Sequence, residues 1–438
     1  MKRLGLYQQI YTAFIKRLFQ PPADAGQQWI DEHRQCCILK KNPVGAKYPV
    51  FWFGTSLMAF DPNTSEDIPN MSLASISSIN TALRPQLPVS WYLDPDIYEL
   101  EQQVLFSTAP AYIGHELMLP SPGDYHSLEW MDHAKALVRD EQGISLISNI
   151  CRHRQALMLK GRGHARNIVC PLHRWTYNLQ GKLIGAPHFD EKPCLNLTRT
   201  VLQNWNGLLF DGQRDVAADL KNLGFLKNFD FSGFVLDRVM VDEYDFNWKT
   251  FIEVYLEDYH VEPFHPGLGN FVDCSDLKWE FGERYSVQSV GVNRCLQKSG
   301  SPVYRRWQEQ VLGYGNSAMP KYGAIWLVYY PFLMIEWYPH VLVVSNIIPR
   351  GPSACTNVVE FYYPEDIALF EREFIEAEQA AYKETAVEDE EICQRMQDGR
   401  KALYSQGLDE YGPYQHPMET GMEHFHLWMR RQLAPHLA

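Results

Sequence analysis

The residues best suited to chemistry in this chain are two short pairs of cysteine and histidine. One residue separates Cys151 from His153, and two residues separate Cys170 from His173. Two thiolates and two imidazoles in this order match the ligands of a two-iron, two-sulfur cluster, in which one iron takes both cysteines and the other takes both histidines. Because each pair supplies one ligand of each type, we expect two loops to hold the cluster from opposite sides.

A zinc ion is the simpler alternative for two cysteines and two histidines. Zinc sites, however, usually pair cysteine with cysteine and histidine with histidine at short spacing, whereas each pair here is mixed. The second pair also continues into Arg174 and Trp175, and Pro171 follows its cysteine. The mixed pairing and these flanks favour the [2Fe-2S] cluster over zinc.

A second metal site is indicated at His260 and His265. The spacing predicts a helix over 246–259, and on a continuous helix two residues five apart would diverge by about 140°. Pro263 and Pro266 prevent such continuation. We therefore expect the helix to end near His260 and the chain to turn back, so that both imidazoles reach one ion. A carboxylate would complete a facial triad for iron(II), which leaves positions open for oxygen and substrate.

The third ligand is sought in the acidic stretch 388–391. Asp389 shares a helix face with three apolar residues, which are Ile392, Cys393 and Met396. Glu388 lies on a mixed face and Glu391 on a polar one. We therefore choose Asp389. Its acidic neighbours are also explained as carboxylates in the first turn of a helix, which the helix dipole favours.

Together these motifs resemble the oxygenase (alpha) component of Rieske non-heme iron oxygenases, over roughly residues 85–435. The resemblance implies an α+β chain, with a small antiparallel β Rieske domain before a catalytic domain built on a helix-grip antiparallel sheet. It implies a [2Fe-2S] cluster on Cys151, His153, Cys170 and His173, and a mononuclear Fe(II) on His260, His265 and Asp389. It also implies a homotrimer in which the cluster of one subunit reduces the iron of its neighbour.

Glu257 lies three residues before His260 and so shares its face on a helix. The family places a bridging carboxylate at this position, between an iron histidine and a cluster histidine across the subunit boundary; by position the cluster partner is His173. A carboxylate that accepts from the second nitrogen of each imidazole fixes their orientation. We expect this catalytic role for Glu257, and the alternative is an ordinary solvent-exposed helix acid.

The 438 residues are long enough for two domains with their own cores. We expect an extension over 1–70 that packs poorly, a leader helix region over 71–110, the Rieske domain over 111–234 and the catalytic domain over 235–438. Within the extension, apolar residues between Leu4 and Leu18 fall at helical spacing. A surface or membrane-peripheral element is the alternative for this extension.

The periodicity also predicts elements within the two domains. We expect short strands in the Rieske domain, among them one over 117–119, and strands in the catalytic domain, among them one over 333–338. Helices are expected in the catalytic domain over 364–383, 386–404 and 419–433.

Bulk properties restrict the partners. The net charge of -13 argues against binding nucleic acid. Apolar runs are interrupted before they reach the length of a membrane span, so we expect no membrane partner. The nine cysteines are irregularly spaced, which indicates reduced thiols and a cytoplasmic location rather than a disulfide framework.

The chain lacks a Gly-x-Gly-x-x-Gly turn after a strand and a four-cysteine ferredoxin pattern. We therefore expect a separate NAD(P)H-dependent reductase of the flavin or ferredoxin type as partner, with O₂ and a small organic molecule as substrates. A plain Rieske electron carrier without oxygenase activity is the remote alternative.

For the substrate, Glu257 with the segment from Asn247 to His260, and the Asp389-x-x-x-Cys393 segment, look most like the group that oxidises quaternary ammonium compounds. Aromatic side chains can cage such a cation, and the candidates are Trp326, Tyr329, Tyr330, Trp337 and Tyr338. Hydroxylation or N-demethylation of a small amine is therefore the first hypothesis. Aromatic-ring dioxygenation and aromatic O- or N-demethylation stay open.

Overall fold

The structure is a computed structural model that describes residues 50–53, 56–59, 85–293, 296, 298–315 and 318–437. In the first of its two compact units, residues 1–83, it shows an antiparallel hairpin of β1 (Val50–Phe53) and β2 (Ser56–Ala59). The predicted helix between Leu4 and Leu18 lies outside the described residues. The poor packing expected for 1–70 stays a prediction, as do the domain boundaries.

The second unit begins with a small domain of short antiparallel strands. Its strands are β3 (Ala111–His115), β4 (Asp124–Ser127), β5 (Lys135–Asp140), β6 (Gly143–Ser148), β7 (Arg162–His164), β8 (Ile168–Val169), β9 (Thr176–Tyr177), β10 (Leu183–Gly185), β11 (Arg199–Val201), β12 (Gln203–Trp205) and β13 (Leu208–Asp211). They form three sheets, in the orders β11-β6-β5-β4-β7, β12-β13-β3 and β10-β9-β8. The turn pattern of the sequence predicts this rhythm of short strands.

The larger domain is built on one seven-stranded antiparallel sheet. Its strands are β14 (Phe234–Tyr244), β15 (Val272–Phe281), β16 (Tyr285–Val292), β17 (Ala324–Tyr329), β18 (Leu333–Tyr338), β19 (Val341–Gly351) and β20 (Ala354–Pro364). Their order in the sheet is β14-β20-β19-β18-β17-β16-β15. The described α-helices are α1 (Ser90–Leu93), α2 (Pro95–Glu101), α3 (Val216–Asp219), α4 (Trp248–Val254), α5 (Val261–Phe264), α6 (Leu268–Phe271), α7 (Pro302–Tyr314), α8 (Glu365–Phe370), α9 (Arg372–Ser405) and α10 (Thr420–Leu433).

Both faces of the sheet are covered. On one face, α7 and α9 pack against alternate strand residues such as Trp326 and Phe361. On the other face, strand residues such as Leu327 pack against Tyr112 and Phe210 of the small β domain. Two covered faces explain why the central strands β17 and β18 are apolar almost throughout. The α+β architecture expected from the sequence is confirmed.

Helix α9 differs from the expectation of two helices with a break near residue 385. It runs unbroken for 34 residues. The sequence there, Lys383-Glu-Thr-Ala386, contains neither proline nor glycine, so nothing in it interrupts the helix. The continuous helix places Glu378, Tyr382 and Asp389 along one side.

Strand β15 and helix α7 are among the elements that the sequence analysis did not predict. Helix α7 carries a start signal in the sequence, because Pro302 occupies its first turn and the Ser301 side chain accepts from the Tyr304 N–H. The predicted strand at 117–119 is wrong. The chain forms a 3₁₀ turn over Glu116–Met118, which the His115 ring caps by accepting from the Leu117 N–H.

Among the described helices, none combines the length and the apolar character that crossing a bilayer requires.

Candidate metal centres and active site

The two loops that carry the cysteine and histidine pairs have the same backbone design. In each, the cysteine N–H donates to the carbonyl five residues later, and the cysteine carbonyl accepts from the N–H four residues later, at 2.8–3.1 Å. Gln155 and Arg174 occupy the same place after Cys151 and Cys170, and both have left-handed backbone, with φ of 54° and 61°. Each loop is therefore a tight turn that presents its side chains at its tip.

The structure brings the tips of these two loops together. The rings of His153 and His173 lie 4.6 Å apart. Cys151 and Cys170 are buried, and the Cys151 thiol lies 3.7 Å from the hydroxyl of Tyr177, whose pKa is raised to about 12 by burial and by the two cysteines. The Nδ1 atom of His153 is buried without a hydrogen-bond partner. A buried nitrogen without a partner, beside two buried thiols and a second imidazole, fits a metal cluster.

The predicted iron ligands also converge. One ligand atom from each of His260, His265 and Asp389 lies within 4.8 Å of the other two. The Oδ1 atom of Asp389 is 3.1 Å from Nε2 of His265 and 3.5 Å from Nε2 of His260. That oxygen nevertheless makes no well-aligned hydrogen bond. The three atoms thus face a common point, as the facial triad of a non-heme iron requires.

Each of the two histidines expected to bind iron contacts a different carboxylate through its outer nitrogen, which is the Nδ1 atom that faces away from Asp389. Glu257 accepts from Nδ1 of His260 at 2.5 Å, and Glu388 accepts from Nδ1 of His265 at 2.7 Å. These contacts fix the tautomers and turn both Nε2 atoms toward Asp389. The proximity of Glu257 to His260 agrees with the sequence, while its contact to a cluster histidine of another subunit stays a prediction.

Glu388 was missed as a functional residue. The sequence analysis weighed it only as a metal ligand and rejected it because its helix face is mixed. In the structure, the Glu388 carboxylate contacts Nδ1 of His265, the ring nitrogen that faces away from Asp389. An acid directly beside the chosen ligand is the sequence signal that could have indicated a supporting role.

The electrostatics of the triad favour a cation. Burial alone would lower the pKa of His260, but Asp389 and Glu257 outweigh it and raise the pKa to about 10. Burial alone would raise the pKa of Asp389, but His260 and His265 lower it below the usual value. Three carboxylates around two imidazoles leave an excess of negative charge, which a divalent ion would neutralise.

The chain reaches the triad differently from the prediction. Helix α4 ends at Val254, although a helix to residue 259 was expected. Beyond it, the Leu256 carbonyl accepts from a backbone N–H at the start of α10. The Asp258 N–H donates to a backbone carbonyl just before α10, so neither group continues the helix. His260 and His265 then flank the single turn of α5. Tertiary hydrogen bonds decide where α4 ends.

A cavity opens beside the triad, with about 710 Å³ that no protein atom fills, part of it open to solvent. Of the five cage candidates, Trp326 and Tyr338 line it. Tyr329, Tyr330 and Trp337 lie elsewhere, since successive strand residues point to opposite faces and Tyr330 follows the end of β17. The aromatic residues of the lining that the sequence analysis did not name are Tyr255, Phe271, Tyr304, Trp307 and Tyr382.

Comparisons with known proteins agree with this arrangement. Residues 110–204 match the family model of the Rieske [2Fe-2S] domain, and residues 230–435 match that of the ring hydroxylating alpha subunit (catalytic domain). The chain belongs to the Rieske non-heme iron oxygenases, which are oxidoreductases with a [2Fe-2S] cluster and a mononuclear iron.

Two putrescine 2-hydroxylases are among the most similar relatives. The chain is 60% identical over 361 residues to a putrescine 2-hydroxylase of Ralstonia nicotianae, covering 81% of this chain and 99% of the relative. It is 54% identical over 366 residues to a putrescine 2-hydroxylase of Bordetella bronchiseptica, covering 80% and 85%. A crystal structure of the quaternary ammonium Rieske monooxygenase CntA shares the fold, with a TM-score of 0.63, 18% identity and coverage of 81% and 97%.

Proposed function

We propose that this chain is the terminal oxygenase that hydroxylates a short aliphatic diamine, with putrescine as the first candidate. The observation that carries the proposal is 60% identity across nearly the whole length of a putrescine 2-hydroxylase. The choline monooxygenases compared are only 25–26% identical, so a quaternary ammonium substrate is a weaker match.

The residue roles follow the geometry. We assign the cluster to the two loop tips and the iron to the triad, with ligands Cys151, His153, Cys170, His173, His260, His265 and Asp389. When bound, the cluster supplies electrons one at a time and the iron activates O₂ for insertion of one oxygen atom into a C–H bond. Glu257 and Glu388 hold the two imidazoles in place, and the cavity positions the substrate carbon.

The electron supply and assembly are also proposed. Electrons come from a separate flavin- or ferredoxin-type reductase, and the chain acts as a homotrimer in a reducing compartment, which we take to be the cytoplasm. In this scheme Glu257 couples the iron of one subunit to the cluster of the next.

The substrate is tested by supplying the reduced, iron-loaded protein with putrescine, choline and naphthalene, and following O₂ uptake and product mass with ¹⁸O₂. We expect a hydroxylated diamine that carries one labelled oxygen. Formaldehyde from the N-methyl compound alone, or a cis-diol from the arene alone, would overturn the diamine proposal. Iron counting separates the electron-carrier alternative, because an oxygenase holds three irons per chain and a carrier holds two.

A further inference from the structure

Two buried carboxyl groups at the cavity have no cation beside them. Glu336 and Glu378 are 0% and 3% exposed, and in the described part of the chain no lysine, arginine or histidine nitrogen lies within 4.0 Å of either. Some other buried acids are paired with a cation, such as Glu101 with Lys249 at 2.6 Å, whereas Asp258 in the cavity wall and Glu360 outside it have none within 4.0 Å among the described residues. Burying a carboxylate without a partner is costly, so an unpaired acid in a cavity wall indicates a cationic ligand.

Glu378 lines the cavity directly. One of its oxygens accepts a hydrogen bond from the Tyr363 hydroxyl, and the other has no hydrogen bond to the described residues. Burial raises the pKa of Glu378 to about 8, and the nearby Glu336 adds to the effect. A cationic group that enters the cavity would favour the ionised form of this carboxyl, and the free oxygen could then accept a hydrogen bond from it.

Glu336 does not line the cavity itself but contacts residues that do. It accepts hydrogen bonds from the hydroxyls of Tyr338 at 2.7 Å and Tyr382 at 3.3 Å, and both tyrosines line the cavity. Because these hydroxyls direct their protons to Glu336, their oxygens act as acceptors, and the Tyr338 oxygen already accepts from the Trp326 indole N–H at 3.0 Å. This end of the cavity thus presents acceptors and ring faces, which suit an ammonium group.

The position of Glu378 along α9 sets the length of the ligand. Glu378 and Asp389 are separated by three helical turns, which advance about 16 Å along the axis, and they point to the same side. The two side chains and the metal occupy part of this length. The rest accommodates a chain of a few methylene groups between the reacting carbon and a remote ammonium.

We propose that Glu378 binds the ammonium group remote from the iron, and that this contact selects diamines over monoamines. Glu336 positions the two tyrosine hydroxyls that complete the subsite. The inference rests on the proposed function, which it deepens by naming the residue that recognises the second amine.

The test uses Glu378→Gln, which keeps the shape and the Tyr363 hydrogen bond but removes the charge. Dissociation constants of putrescine and 1-butylamine are measured by calorimetry on the oxidised holoenzyme, and KM and kcat for both are measured with a reductase. Losing a charge-assisted hydrogen bond is expected to weaken putrescine binding roughly 10- to 100-fold. Butylamine, which lacks the remote ammonium, is expected to bind the variant and the wild type alike.

Glu360→Gln is the matched control. Glu360 is equally buried and accepts from the hydroxyls of Tyr112 and Tyr362, but it is not part of the cavity wall. This variant is expected to keep the wild-type preference for putrescine over butylamine. Glu378→Asp, which retains the charge, is expected to keep part of that preference.

The outcomes are distinguishable. If the wild type hydroxylates putrescine and Glu378→Gln binds it as tightly, the inference about Glu378 is wrong while the proposed function stands. If Glu378→Asp loses the preference as fully as Glu378→Gln, charge recognition is also refuted. If the wild type neither binds nor hydroxylates any diamine, the proposed function and the inference both fail.

Discussion

At the scale of single residues, the outer nitrogen of each triad histidine contacts a carboxylate, but the two carboxylates sit in different settings. Glu257 also accepts from the backbone N–H of His260 and thereby holds the turn that presents this histidine. Glu388 lies on α9 next to Asp389. It is far from His265 in the sequence, and its carboxylate contacts that ring in the fold. Both triad histidines are therefore oriented before any metal arrives, which is how preorganised metal sites gain affinity.

Replacing Glu388 by alanine tests this orientation. Loss of a carboxylate behind a metal-binding histidine typically lowers metal affinity 10- to 100-fold, so we expect about that loss for the mononuclear iron. The visible spectrum of the cluster should not change, since Glu388 contacts only His265 in the triad. Iron affinity is measured by competition with a chelator.

Glu390→Ala is the control for this experiment. It removes the same charge two residues further along α9, from an exposed side chain with no contact to the triad. If both variants lose iron affinity equally, the effect comes from the charge of the helix and the contact with His265 contributes nothing specific.

At the scale of elements, the features predicted best from the sequence are those determined by residues close together along the chain. Strand β18 has the bounds expected from its apolar pattern, and the cysteine and histidine pairs indicated a cluster because their types and spacing are local signals. The end of α4 could not be predicted, since backbone groups from the region of α10 determine it. Trp337 was wrongly placed in the cavity because composition does not reveal which strand face a residue occupies.

A buried ion pair fixes α2 to α4, the helix that precedes the triad. Glu101 accepts from Nζ of Lys249 at 2.6 Å and from the indole of Trp248 at 2.9 Å, and both charged side chains are fully buried. Removing one partner of such a pair leaves an uncompensated buried charge. Glu101→Gln is therefore expected to lower the free energy of unfolding by about 3–5 kcal/mol, as denaturant titration would measure.

The double variant Glu101→Gln/Lys249→Met provides the check. With both charges removed, the buried site no longer holds an unpaired ammonium, and we expect much of the lost stability to return. A double variant less stable than Glu101→Gln alone would show that shape, and not the unpaired charge, dominates at this site.

At the scale of the whole molecule, the seven-stranded sheet lies between the iron triad and strands of the domain that carries the cluster loops. The iron triad and its cavity occupy the face covered by α7 and α9. Strands β3 and β13 of the domain that carries the cluster loops pack against the opposite face. Electrons that travel within one chain would have to pass this buried sheet, which favours a route between subunits.

Mixed assemblies test that route. One chain carries Cys151→Ser and cannot hold the cluster, and the other carries Asp389→Ala and cannot hold the iron. Each alone should be inactive. In a ring where every iron draws on one neighbouring cluster, random mixing in equal amounts should restore about a quarter of the wild-type hydroxylation rate, because half of the irons remain and half of their neighbours have clusters.

A substitution at Glu257 shows which of the two subunits supplies the bridging carboxylate. In the structure Glu257 contacts His260 of its own chain, so the bridge must belong to the subunit that holds the reacting iron. Glu257→Ala should therefore abolish complementation when it is placed in the Cys151→Ser chain, and should have little effect in the Asp389→Ala chain. Equal effects in both chains would contradict a bridge at Glu257. Mixtures that stay inactive, although mixed oligomers are shown to form, would contradict electron transfer between subunits.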